Sequence, residues 1–358
     1  MAQRQAVLAD FKENTMNLKK SLAGAAILLA LTTSVFAKAK KSDKANAKLK
    51  VVTTIFPEYD WTREILGDKA SNVELTLLLG NGVDLHSYQP SIQDIAKIST
   101  ADIFVYVGGE SDGWVTDALK NAQNKNMKVI NLMETLGDKA KAEEIKEGMQ
   151  AEEEEEHEHH HHHEAEEEHH HHHHDEEDEV EYDEHVWLSL RFAKIFSTEI
   201  ANALCEKDSA NAAAYKANLA AYTSKLDALD SKYIAVVRAG SKNTILFGDR
   251  FPFRYLVEDY GLDYFAAFVG CSAETEASFE TVIFLSKKVD ELELNTVFKI
   301  ETGDGKIART IIQNTKKKNA TVRTLDSLQS ITAKQAASGK TYLKIMEANL
   351  EVLTEALK

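Results

Sequence analysis

The chain has 358 residues, 43% of them hydrophobic, and a formal net charge of −16. That length suits two lobes of ordinary domain size, and the apolar share excludes a wholly disordered chain. The acidity is local: Glu152 to Glu184 holds 18 Asp and Glu and no Lys or Arg, so the remainder is nearly neutral and offers no basic stripe for nucleic acid.

From Met16 the chain reads MNLKKSLAGAAILLALTTSVFAKAKK. Lys19 and Lys20 precede an apolar run through Leu31, and Val35 to Ala37 offers the small residues a signal peptidase reads, so cleavage after Ala37 is expected. The run falls short of the roughly 20 apolar residues of a membrane-spanning helix. Met1 to Thr15 lacks this pattern; residues 1–37 read as an N-terminal extension plus signal peptide, and 38–48 as a polar linker. No Cys follows the apolar run, so a soluble periplasmic protein without a lipid anchor at that point is expected.

Residues 49–150 contain four β-branched or apolar runs: LKVVTTIF, NVELTLLL, DIFVYVG and MKVINL. Helical patterns such as SIQDIAKIST separate them, and strands alternating with helices predict a parallel sheet covered by helices. Residues 151–184 are low in complexity and cannot offset the entropy of ordering, which predicts a disordered His- and acid-rich loop. In 185–240 a long helix is expected, capped by Asp208 or Ser209. Its apolar residues Tyr215, Leu219, Tyr222, Leu226, Leu229, Tyr233 and Val236 recur at spacings of four and three, with no Gly or Pro until Gly240. At 1.5 Å per residue it reaches about 45 Å, enough to brace two lobes; a coiled-coil dimer is disfavoured by few heptads without consistent flanking charge pairs. Residues 241–358 repeat the first plan with NTILFG, LDYFAAF, NTVFKIE and ATVRTLD, then end in the amphipathic TYLKIMEANLEVLTEALK. The fold class is α/β: two lobes, each a parallel-type sheet flanked by helices, braced by a long interlobe helix.

Of the 14 His, all but His86 and His185 lie in the acidic tract. His86 sits in a glycine-containing loop beyond the second strand, and His185 follows the tract immediately before apolar VWLSL. Ligands of open α/β sheets bind outside the carboxyl ends of the strands, where the second lobe offers Asp249, Glu301 and Asp326. Imidazoles with carboxylates suit zinc without excluding manganese. Cys205 and Cys271 lack CxxC spacing, and either pair with each other or stay apart as buried thiols.

Beyond these residues the chain resembles a family. VVTTIFPEYDWTREILGD, GVDLHSYQPSIQDIAKISTADIFVYVGGESDGW, DEHVWLSL and TLDSLQSI…TYLKIMEANLEVL are similar to segments of the solute-binding proteins of metal-specific ABC importers, above all their zinc-binding ZnuA-like members. A His-rich acidic insertion before the second ligand motif is typical of that subgroup. The resemblance runs from about Leu49 to the C-terminus and implies His86, His185 and Asp326 as metal ligands. It also implies a departure: Arg250 stands where the family places a His or Glu, and a guanidinium cannot ligate a metal. Asp249, Glu301 or water then supplies the fourth ligand, or Arg250 takes the place and pairs with Asp326.

What the resemblance implies is a periplasmic zinc receptor, monomeric, binding Zn2+ (or Mn2+) between its lobes and docking on an ABC permease, with no nucleotide bound directly and no covalent chemistry. The tract residues His157, His159, His160, His161, His162, His163, His169, His170, His171, His172, His173 and His174 present neutral imidazoles near neutral pH. They are expected to form an accessory metal-binding loop. A manganese or nickel receptor, or a metal buffer or adhesin uncoupled from transport, are the alternatives. A zinc hydrolase is disfavoured because HExxH is absent from any helical pattern.

Overall fold

The computed structural model describes residues 48–150, 181–272 and 276–358. The expected leader and all of the expected polar linker except Lys48 lie outside the described residues, as do the twelve tract imidazoles. Two four-stranded sheets form the frame. In the first, β1 (Leu49–Thr53), β2 (Val73–Leu77), β3 (Ile103–Tyr106) and β4 (Lys128–Asn131) take the order β2-β1-β3-β4. In the second, β5 (Thr244–Arg250), β6 (Asp263–Phe268), β7 (Thr296–Lys299) and β8 (Thr321–Thr324) take the order β6-β5-β7-β8. All pairs are parallel, and the two orders are the same topology used twice. Each expected strand run became one strand, because short β-branched runs between turn signals bury well in a parallel sheet covered on both faces.

The carboxyl ends of the strands carry the chemistry-bearing loops of both lobes, and each sheet reverses its strand order next to its first strand. The connecting helix Leu190–Lys207 leads to the long helix Ala212–Ala239, whose 28 residues span about 42 Å. The start of that helix differs from expectation. Ser209–Asn211 forms a 3-10 turn, and the Asp208 carboxylate accepts from Tyr215 Oη at 2.6 Å and Asn211 Nδ2 at 2.8 Å instead of capping a backbone N–H. Tyr215, Tyr222, Leu226, Leu229 and Tyr233 are buried along one stripe. Asn218 ties the stripe to the first lobe through Ile65 O, and Tyr233 ties it to the C-terminal helix Tyr342–Ala356 through Met346 O.

One apolar cluster runs through Val51, Trp61, Phe104, Trp187, Tyr233, Phe247 and Met346, so first sheet, long helix and second sheet share a core. A smaller cluster around Leu246, Phe268, Leu285 and Ile311 fills the far side of the second sheet. Trp187, fully buried within the larger cluster, donates to Ser327 O at 2.8 Å, while its own carbonyl accepts from Tyr342 Oη at 2.7 Å. Cys205 and Cys271 are unpaired.

Candidate metal centre

The loop after β2 turns at Gly82, then Asp84 caps a 3-10 turn over Leu85–Ser87 by accepting from His86 N at 3.1 Å. Buried Leu85 anchors the turn, which leaves the His86 ring facing the second lobe. Ser111, in the loop beyond β3, meets His86 Nδ1 at 2.8 Å, so Nε2 is the ring atom turned inward.

His185 is fully buried. Asp183 Oδ1 accepts from its backbone N–H at 2.8 Å and lies 2.9 Å from Nδ1. A carboxylate in that position calls for the Nδ1–H tautomer and leaves a lone pair on Nε2. Asp183 is itself held: its carbonyl accepts from Tyr255 Oη at 2.8 Å and its N–H reaches Lys141 O at 2.8 Å.

The two inward nitrogens, His86 Nε2 and His185 Nε2, stand 3.1 Å apart. Two imidazole nitrogens at 2.0–2.1 Å from one tetrahedral ion would be separated by about 3.3 Å. Cys271 adds a third donor: its sulfur and a ring nitrogen of each histidine lie within 4.8 Å of one another, and among the described residues these three form the group suited to a metal ion. Cys271 leaves the end of β6 as His86 leaves the end of β2, and both strands are the edge strand at the same place in their sheets. Gly270 permits the approach, since a Cβ there would stand 3.0 Å from the His185 ring. Cys271 N donates to Glu143 Oε1 at 3.1 Å.

The carboxylates expected at strand ends are placed as follows. Asp249 accepts from Arg250 N at 2.9 Å and Ile300 N at 3.2 Å, joining β5 to the turn after β7. Glu301 binds the N–H and hydroxyl of Ser327 at 2.7 and 2.9 Å and the Ser330 hydroxyl at 3.2 Å. Asp326 Oδ1 accepts from Leu328 N at 2.9 Å, and the residue lines a separate hollow with Lys340 and Lys344. None of the three belongs to the group formed by His86, His185 and Cys271. Arg250 pairs with Asp84 across the cleft, not with Asp326, and so links the second lobe to the turn carrying His86.

Sequence reasoning missed Cys271 as a donor. The strand-end rule that singles out Asp249, Glu301 and Asp326 reaches Cys271 equally well, three residues beyond Phe268, whereas the missing CxxC spacing points away from a metal role. Gln329 was missed as well. With its amide nitrogen donating to Asp84 Oδ1 at 2.7 Å, its amide oxygen accepts from His185 Nε2 at 3.0 Å, a contact of the Nε2–H tautomer that a metal on Nε2 would replace.

Burial and the neighbouring His185 depress His86 to about 3, so its imidazole is neutral and its lone pair free for a metal. Burial would raise Asp84, yet the Arg250 guanidinium and then His86 hold it below the ordinary carboxylate range. Burial, then the Glu143, Asp183 and Glu184 carboxylates, push the Cys271 thiol up. A divalent ion reverses that balance, because a coordinated thiol is deprotonated outright.

Two imidazoles and a thiol meet between two matching parallel sheets that share one long bracing helix, which is the architecture of a two-lobed binding protein with a metal-type donor group between its lobes. Residues 51–356 match the family model for ZnuA, "Zinc-uptake complex component A periplasmic", and the chain belongs to that family. It is 33% identical over 339 residues to the "Zinc-binding lipoprotein AdcA" of Streptococcus pneumoniae serotype 4, covering 92% of this chain and 60% of that protein, so it spans under two thirds of that relative's length. It is 29% identical to the "High-affinity zinc uptake system protein ZnuA" of Bacillus subtilis, covering 88% of this chain and 90% of that one. The structure of the Zn(II)-bound ZnuA-like domain of pneumococcal AdcA superposes with a TM-score of 0.63 at 26% identity, covering 87% of this chain and 99% of that domain.

Proposed function

We propose that this protein is an extracytoplasmic zinc receptor that captures Zn2+ between its lobes and hands it to the permease of an ABC importer. The observation that carries the reading is the 3.1 Å separation of His86 Nε2 and His185 Nε2 with the Cys271 thiol beside them. Two imidazoles and a thiolate are borderline-soft donors that favour zinc over the harder manganese. His86 and His185 act as ligands, as expected from the sequence, and Cys271 replaces the donor that Arg250 cannot be. The fourth position falls to water or to the Gln329 amide oxygen. Asp249, Glu301 and Asp326 shape the loops at the strand ends. The relatives' names support zinc as the cargo.

Delivery requires release, and the site suits both. His86 arrives from the first lobe and Cys271 from the second, so moving the lobes apart separates the donors without unfolding either sheet. The leader at residues 1–37 fits export, and the tract imidazoles fit a reservoir that raises local zinc near the cleft. Calorimetry with zinc on the metal-free full chain tests the site. His86→Ala and Cys271→Ser should each remove one tight site per chain while leaving the weak binding of the tract. Equal tight binding by both variants and the parent would overturn the ligand set.

A further inference from the structure

A second feature lies beside the metal group and belongs to none of its donors. A hollow of about 260 Å3 opens next to His86 and Cys271, walled by the carboxylates of Glu110, Glu143, Glu181 and Glu184. Among the described residues no Lys or Arg lines it. The walls are fixed by backbone pairing: Ala142 and Tyr182 form an antiparallel bridge, with Glu143 N donating to Glu181 O at 2.9 Å.

Glu184 gives the hollow its meaning. Only 2% exposed, it accepts from Ser111 N at 2.9 Å through Oε1, while Oε2, itself buried, has no hydrogen-bond partner among the described residues. That bare oxygen lies 3.7 Å from His86 Nδ1, the ring atom that Ser111 holds on the side away from the donor Nε2. A buried carboxylate oxygen without a partner is costly, and the group that offsets it best is a cation. Glu143 touches the other donor, through the Cys271 backbone N–H. The carboxylates therefore adjoin both His86 and Cys271 from one side.

We propose that this hollow is an outer position for a hydrated divalent cation on its way to the imidazoles and the thiol. The proposal rests on the ligand set given above. An aqueous zinc ion must lose most of its waters before it fits a buried nitrogen and sulfur site, and oxygen donors replace those waters stepwise. The Glu184 and Glu143 carboxylates hold the partly dehydrated ion, and the acidic walls focus its approach. The ion then moves past the His86 ring to Nε2, and the carboxylates are free for the next one.

The test is a stopped-flow measurement on the full chain with Co2+ alone as the probe. A thiolate bound to cobalt gives a charge-transfer absorption, so the band reports arrival at Cys271 and ignores ions held by the His-rich tract. Glu143→Gln and Glu184→Gln should each slow the appearance of the band, and together by tenfold or more, while the band still develops. The exposed Glu134, which does not line the hollow, supplies the control Glu134→Gln, which should not slow it. Glu143 is only partly buried, so its variant keeps the test open if Glu184→Gln fails to fold. A band that appears at the parent's rate in the folded variants overturns the outer position and leaves the ligand set intact. Equal slowing by Glu134→Gln assigns the effect to overall charge and also overturns it. No band in the parent overturns both the ligand set and the outer position.

Discussion

At the scale of single residues, the metal group is a matter of which atom each side chain turns inward. Cys271→Ser removes the one soft donor, and zinc binding in the cleft should weaken more than manganese binding. Competition titrations against both ions would show the preference narrowing; an unchanged ratio would count against a thiolate ligand. Asp183 tests orientation instead of ligation. Asp183→Asn keeps the size of the side chain but no longer fixes the Nδ1–H tautomer of His185, and zinc affinity should fall by about 10–100-fold. His86 and His185 were legible in the sequence because they are the only histidines outside the tract, each in a distinctive setting. Cys271 was not, since its role depends on β2 and β6 occupying matching edges, a relation that no local spacing records. The same limit applies to Asp249, Glu301 and Asp326: strand-end position is readable, whereas the direction of a carboxylate depends on the N–H groups that its turn presents.

At the scale of elements, the sheets follow from the sequence because buried parallel strands advertise themselves as short β-branched runs. Their boundaries do not, as the 3-10 turn before the long helix illustrates: Asp208 looked like a cap and instead holds Tyr215. Close contact between elements is equally hidden. The helix Lys306–Asn314 lies so near β5 that a Cβ on Gly248 would stand 2.5 Å from the Ala308 Cα. Neither backbone can yield without disturbing the small core of the second lobe, so Gly248→Ala should cost about 1–3 kcal/mol as an overpacking substitution. Denaturant unfolding of the zinc-free protein measures it, and a cost near zero would show that the helix shifts freely. The hydrogen bonds of Trp187 to Ser327 O and from Tyr342 Oη are likewise set by tertiary placement that no local pattern records.

At the scale of the whole molecule, the zinc ion would join two lobes that already share one core. Each lobe contributes the loop after its edge strand, and Arg250 with Asp84 adds an ion pair across the same cleft. Binding to the folded state alone should raise the unfolding free energy by about 2.7 kcal/mol when free zinc exceeds Kd a hundredfold. A chelator should return the melting temperature to its metal-free value, and the His86→Ala protein should gain less from zinc than the parent. In the proposed ligand set a sulfur stands beside the two imidazoles. X-ray absorption at the zinc edge, on protein loaded with one equivalent, tests it most directly. One sulfur at about 2.3 Å is expected beside nitrogen and oxygen neighbours at about 2.0–2.1 Å, with the sulfur lost in Cys271→Ser. A shell of nitrogen and oxygen alone in the parent protein would contradict it.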